Sequence, residues 1–146
     1  MKKNNIMDEI LFRGKRKDDG QWIFGDLLHS KTGNLYAIAE NYVLGSLYTL
    51  VHAESIGQYS TFDDIKGKKI FKGDIIRQAY EGDYPSYVII DFKDGMFGYR
   101  SIFPEYTYFL PITKYEIKDY NREVVGNIYD DLELLTKLKT EENSHE

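Results

Sequence analysis

The chain has no cysteine among its 146 residues, so neither a disulfide framework nor a thiolate zinc site is open to it. That fits a reducing cytoplasm. Its three histidines, His29, His52 and His145, have no second histidine or cysteine beside them at ligand spacing, which argues against a zinc or iron site and leaves no cofactor to expect. Long apolar runs are missing too, so no membrane-spanning helix is expected, and Met1-Lys2-Lys3-Asn4-Asn5 lacks the apolar stretch of a signal peptide. Positive charge is not in excess: the net charge is −5, which gives no overall pull towards nucleic acid or an acidic membrane. No nucleophile elbow, Walker loop or dinucleotide fingerprint occurs. Asp63-Asp64 opens like a calcium loop, but Gly67 and Lys69 stand where later ligands belong.

What the chain does have is rings. Thirteen tyrosines and eight phenylalanines against three prolines make a β-rich balance, because bulky aromatics suit a half-buried pleated surface. Two hairpins are written in Asp19-Gly20 and Asp94-Gly95, each flanked by apolar and aromatic residues and each followed by a Phe-Gly pair, Phe24-Gly25 and Phe97-Gly98. A third reversal, Lys31 to Asn34, leads into Leu35-Tyr36-Ala37-Ile38-Ala39. Residues 40–51 have an ambiguous period, compatible with strand, loop or helical turn. Glu54 to Tyr59 reads as a short strand before a polar turn at Ser60 to Asp64. Tyr87-Val88-Ile89-Ile90-Asp91-Phe92 is the clearest strand, and its unbroken apolar centre expects cover on both sides.

The chain is organised around Lys66-Gly67-Lys68-Lys69-Ile70-Phe71-Lys72-Gly73-Asp74-Ile75-Ile76-Arg77. Gly67 and Gly73 mark tight reversals, Asp74 is placed to accept backbone N–H groups at the second of them, and Ile75-Ile76 starts a core strand. Further on, Phe103, Tyr106, Tyr108, Phe109 and Tyr115 stand among Pro104 and Pro111. Proline cannot donate to a ladder, so the segment from 102 to 120 reads as an edge or a crossing loop. Arg122 to Tyr129 reads as a closing strand. Asp131 is placed to cap one short C-terminal helix, with Leu132, Leu135 and Leu138 on its buried face and Glu133 and Lys137 paired outside.

These elements predict a mainly β fold: a small barrel or a strongly bent antiparallel sheet, with added N-terminal hairpin strands and one short C-terminal helix. Gly57, Gly73, Gly98 and Gly126 are the expected bulge or kink positions. The expected layout is a flexible N-terminus over 1–9, one β domain over 10–139 and a disordered acidic tail over 140–146. Glu141, Glu142 and Glu146 in that tail carry three of the five net negative charges.

Three stretches in this order resemble the YopX-like family of phage and prophage proteins. They are Leu11 to Lys15 with Gly20 to Gly25, Ile56 to Tyr59 through Gly67 to Ile76, and Val124 to Tyr129 ahead of a short helix. Two positions depart from the family pattern: Phe62 follows Thr61 where a glycine is usual, and Leu132 stands where a proline usually starts the last helix. The resemblance implies an SH3-like barrel core and a protein encoded by phage or integrated phage DNA, hence the cytoplasm of a bacterial host. It carries no established activity and no agreed catalytic residues, so no site is transferred.

Read from its residues, the protein is expected to act by binding and not as an enzyme, with a host or phage protein, or a second copy of itself, as partner. Phe103, Tyr106, Tyr108, Phe109 and Tyr115 are the candidate protein interface, because tyrosine covers much area with few torsions to freeze. The alternative is single-stranded nucleic acid held by Lys66, Lys68, Lys69, Lys72 and Arg77, with Arg13, Lys15 and Arg16 as further cations, as small barrels can do. The acidic whole-chain charge disfavours it. A hydrolase with an acidic site ranks last, since it needs Asp26, Asp91 and Glu123 to meet in space.

Overall fold

The computed structural model describes residues 9–40 and 47–144. The chain divides into two compact units, Met1–Thr61 and Phe62–Glu146. The expected flexible N-terminus falls outside the described residues except for Glu9, and so does 41–46 of the ambiguous segment.

The first unit holds β1 (Phe12–Lys15), β2 (Trp22–Ser30), β3 (Leu35–Ala39), β4 (Thr49–Leu50) and the start of β5 (Gly57–Asp63). They pair antiparallel in the order β4-β3-β2-β1-β5. The Asp19-Gly20 hairpin forms as the sequence predicts: Gly20 takes φ 71 and its N–H donates to Arg16 O at 2.9 Å. Along β2 the side chains alternate, with Ile23 and Gly25 buried and Phe24 and Asp26 exposed. Ile23, Ile38 and Val51 form the core, with Phe12, Leu27, Tyr36 and Ile56 packed on it. The strand expected to end at Tyr59 runs on to Asp63, and the turn comes after it. Thr61 within this strand has φ 71, a region that a β-branched residue enters only at a cost of about 1–2 kcal/mol.

The second unit holds β6 (Lys69–Phe71), β7 (Asp74–Gln78), β8 (Ser86–Lys93), β9 (Met96–Ser101), β10 (Phe109–Pro111), α1 (Lys114–Asp119), β11 (Glu123–Asn127) and α2 (Leu132–Asn143). Five of these strands make an antiparallel sheet in the order β10-β9-β8-β7-β11. Its centre is covered on both faces, as the apolar run of β8 predicts. One face buries Ile76, Val88 and Ile90 with Ile70, Ile112, Ile117 and Val124. The other buries Ile75 and Ile89 with Ile102, Phe103 and Leu138.

The organising stretch behaves as read. Gly73 sits at φ 94, and a Cβ there would lie 2.8 Å from the Tyr129 ring, so both backbone and space require glycine. Asp74, buried, accepts the Phe71 N–H on Oδ2 at 2.7 Å and pins the turn into β7.

Several expectations need correction. The strands form two antiparallel sheets and not a closed barrel. In the second sheet the edge strands are β10 and β11; β10 ends on Pro111, which has no N–H to offer a further strand, and β11 is bulged between Val124 and Gly126. The segment expected as edge or loop contains a second helix, α1, because Thr113 caps it by accepting the Glu116 N–H at 3.3 Å and Ile117 enters the core. Asp131 stands at the start of α2 but does not cap it. Its Oδ2 instead accepts the Asn127 N–H at 2.8 Å, tying the helix back to β11. The buried face of α2 is Leu134, Leu135 and Leu138, while Leu132 in the first turn is exposed. Glu133 and Lys137 form no ion pair among the described residues. The tail expected to be disordered from 140 is helical to Asn143, because Glu142 accepts the Tyr87 N–H at 2.8 Å and fastens the last turn to β8.

Candidate functional site

In the second unit, the face of β8 that is covered at Ile89 opens towards its hairpin. Side chains two residues apart share a face, so Asp91 and Lys93 follow Ile89 along it. On β9 the same face carries Arg100, which lies opposite Ile89, and on β10 it carries Phe109, opposite Arg100. Gly98 lies between them, directly across from Asp91, and its missing side chain leaves room for the Phe109 ring.

The chain between β9 and β10 folds over this face. Ser101 Oγ accepts the Phe103 N–H at 3.0 Å, Ile102 and Phe103 insert into the core, and the Tyr106 N–H closes a turn on Phe103 O at 3.1 Å. The Tyr106 ring then stands edge-on to Phe103, with centroids 5.8 Å apart. The result is an open cleft of about 310 Å³, bounded by Asp91, Lys93 and Arg100 on the sheet and by Tyr106, Thr107 and Tyr108 on the returning loop. Arg100 Nε donates to Asp91 Oδ2 at 3.3 Å, while Asp91 Oδ1 accepts the Phe92 N–H at 2.8 Å.

Burial pushes the Tyr108 hydroxyl above the ordinary tyrosine value near 10, against the smaller opposing effect of its hydrogen bond with Ser101. A raised folded value means that the unfolded chain gives up this proton first. The stabilising effect is therefore whole below pH 10 and disappears as pH climbs through the higher folded value. In an alkaline titration of tyrosinate absorbance, wild type minus Tyr108→Phe is expected to show one tyrosine titrating above pH 10. A difference curve centred at or below 10 would contradict the partial burial of this hydroxyl.

The five predicted interface residues are not equivalent. Phe103 is buried in the core and is unavailable as a contact, because the turn at Ser101 drives it inward. Tyr106 and Tyr108 are 51% and 44% exposed and, with Phe109, line the cleft. Tyr115 is 80% exposed on α1.

The predicted basic group is thinned by acids. Lys66 Nζ lies 2.7 Å from Glu123 Oε1; that hydrogen bond, with the charge of the carboxylate, holds Lys66 above its ordinary value. Lys69 and Lys72 are engaged in contacts of their own, and Lys68 and Arg77 take no side-chain partner among the described residues. In the first unit, Arg13 is buried with its guanidinium 4.6 Å from the Trp22 ring centroid, Lys15 Nζ is 5.6 Å from the same centroid, and Arg16 pairs with Asp18. Of the three acids a hydrolase would need, Asp91 and Glu123 are each held by a cation. His29 stacks on Tyr36 with centroids 4.2 Å apart. No group of three or more metal-ligating side chains occurs among the described residues, and no helix among them is long and apolar enough to cross a membrane.

The model of the family described as YopX protein matches residues 11–136. This chain belongs to the YopX family. None of the curated proteins compared with it matches. Among solved structures, the crystal structure of protein EF1440 from Enterococcus faecalis is similar, with a TM-score of 0.56 and 18% identity over 88% of this chain and 99% of that one. At that identity the likeness is one of fold.

Two charges that define the cleft of this YopX-family chain, Arg100 and Lys93, are not among the residues that the sequence order singles out. A usable signal was present. A two-residue Asp94-Gly95 turn fixes Lys93 opposite Met96, and counting back places Asp91 across from Gly98 and Ile89 across from Arg100. The first unit carries a separate apolar recess of about 390 Å³, with Leu28, Leu35, Ala37, Tyr48 and Leu50 in its wall. His29 and Ser30 complete its lining, and their polar atoms face Asn34 Oδ1 and Thr32 Oγ1.

Proposed function

We propose that this YopX-family protein is a phage- or prophage-encoded binding module, working in the cytoplasm of a bacterial host through protein–protein contact at the cleft of its second unit. The observation that carries this reading is the split among the rings of residues 103–109. Phe103 anchors the loop in the core, which holds Tyr106 and Tyr108 open beside a polar floor. Rings fixed in this way lose little freedom on contact. The SH3-like kinship expected of the family, and Tyr115 as a further contact, belong to the same proposal.

The test is capture from host lysate with the partner identified and then reconstituted from pure components. Tyr106→Ser combined with Tyr108→Ser is expected to weaken the reconstituted complex by about tenfold or more. Unchanged affinity would remove the cleft from the proposal, and a self-associated complex in sizing would make a second copy the partner. The competing reading through Lys66, Lys68, Lys69, Lys72 and Arg77 takes over if oligothymidylate binds in low salt with an affinity that falls steeply as salt rises.

A further inference from the structure

We infer that the cleft takes a short acidic segment of a partner protein, seating a carboxylate on Arg100 and Lys93 with a neighbouring apolar side chain against Tyr106 and Phe109. This rests on the reading of the cleft as a protein-binding surface and names the chemistry of what enters it.

Arg100 carries five N–H donors, of which only Nε is used, on Asp91 Oδ2. Neither Nη group has an acceptor among the described residues. A planar guanidinium held at one edge presents its remaining donors in a fixed fork, the arrangement that suits a carboxylate. Asp91 cannot neutralise the whole floor, because Lys93 adds a second cation on the same face and has no ion-pair partner among the described residues.

Asp91, Arg100 and Lys93 leave the cleft floor with one surplus positive charge, in a chain whose net charge is −5. That contrast sets the length of the occupant. A lone acid is drawn to the cleft, whereas a long polyanion such as single-stranded nucleic acid is repelled by the rest of the chain. The volume of about 310 Å³ lies at the small end of ligand clefts and suits one or two side chains. Thr107 and the two tyrosines add hydroxyl donors around the rim. The Tyr108 hydroxyl stays protonated well past neutral pH and so remains a donor.

The test titrates the full chain with a blocked pentapeptide in which glutamates flank a phenylalanine, with its glutamine counterpart, and with oligothymidylate, all read by backbone amide chemical shifts. The glutamate peptide is expected to perturb residues 91–93 and 100–109 and to bind about tenfold more tightly than the glutamine peptide, the worth of one charge-assisted hydrogen bond. Arg100→Gln is expected to erase that preference. Lys93→Gln, at an exposed position that leaves the Asp91–Arg100 pair in place, is expected to lower it about threefold without disturbing the fold. Equal binding of the two peptides overturns the acid preference while the tyrosine-dependent complex stands. Absence of shifts at these residues with either peptide overturns the assignment of the cleft, and tighter binding of oligothymidylate at the same residues overturns it in favour of nucleic acid. Loss of the tyrosine-dependent complex is read separately, by reconstitution, and bears on the broader reading alone.

Discussion

Replacing Asp64 with alanine is expected to remove about 3–4 kcal/mol of stability, a large share of the roughly 5–15 kcal/mol that holds a domain of this size. Asp64 is buried, at 6% exposure, and its carboxylate satisfies three backbone donors. Oδ1 accepts the N–H groups of Lys66 and Lys68 at 2.9 and 2.8 Å, which shapes the turn at Gly67. Oδ2 accepts the Val124 N–H at 3.0 Å, sixty residues along the chain. Alanine would leave all three without their acceptor. The Val124 N–H lies in the buried core and has no ready water, so it alone costs about 1–3 kcal/mol, and the loss of the turn adds to that. Asp64→Asn is expected to recover part of the loss, since an amide oxygen can serve one side of the site while its NH₂ faces donors on the other. The check is urea unfolding, with the midpoint falling and the slope unchanged. A loss below about 1 kcal/mol would mean that water reaches these donors. Asp83→Ala, on an exposed turn, serves as the neutral control, within about 0.5 kcal/mol.

The contrast between Asp64 and Asp74 marks how far the chain can be read from its residues. Asp74 acts within three residues, on Phe71, and a turn carboxylate beside a glycine is legible from local chemistry. Asp64 has its local role too, but its third partner arrives from β11, and nothing near residue 64 announces Val124. The same division runs through the fold. The Asp94-Gly95 hairpin, the two-sided burial of β8 and the bulge at Gly126 follow from short-range patterns. Openness as two sheets depends on which strands become edges, and that is a matter of long-range pairing such as Val124 with Ile76. Helix α2 is a finer case. Leu132, Leu135 and Leu138 fit an apolar stripe as well as Leu134, Leu135 and Leu138 do, and only the position of the sheet beneath chooses between them. Arg122 fits the closing strand by sequence, yet it is a buried guanidinium that bonds Gln78 and Glu116 and lies 4.5 Å from the centroid of the Tyr99 ring, joining α1 to β7 and β9. For the site, the rings were visible because they cluster in sequence. The charges were not, because Arg100 and Lys93 come to line one cleft only after the hairpin is folded.

Gly98→Ala is expected to cost about 2–3 kcal/mol and to abolish peptide binding at the cleft, although it adds a single methyl group. A Cβ on residue 98 would sit 2.5 Å from Leu110 O and 2.6 and 2.9 Å from Phe109 Cζ and Cε2, separations that no carbon sustains. One of the two strands must move, and the pairing decides which. Strand β9 is held along six residue pairs to β8, whereas β10 is a three-residue edge strand whose last member is Pro111. It is therefore β10 that leaves, taking Phe109 off the cleft wall and pulling on Ile112, which follows it into the core. That strain sets the size of the loss, in the range of over-packing changes. Hydrogen exchange separates this outcome from general unfolding: the Leu110 amide is expected to lose protection, while the amides of β8 lose only the amount set by the fall in global stability. Phe109→Ala makes the complementary case, because it removes the ring that blocks the new methyl but leaves Leu110 O in its way. In the double variant the stability loss is expected to be partly relieved and binding to stay absent. Wild-type exchange at Leu110 in Gly98→Ala would show that β10 tolerates the shift, and the Phe109 wall would then not depend on the glycine beneath it.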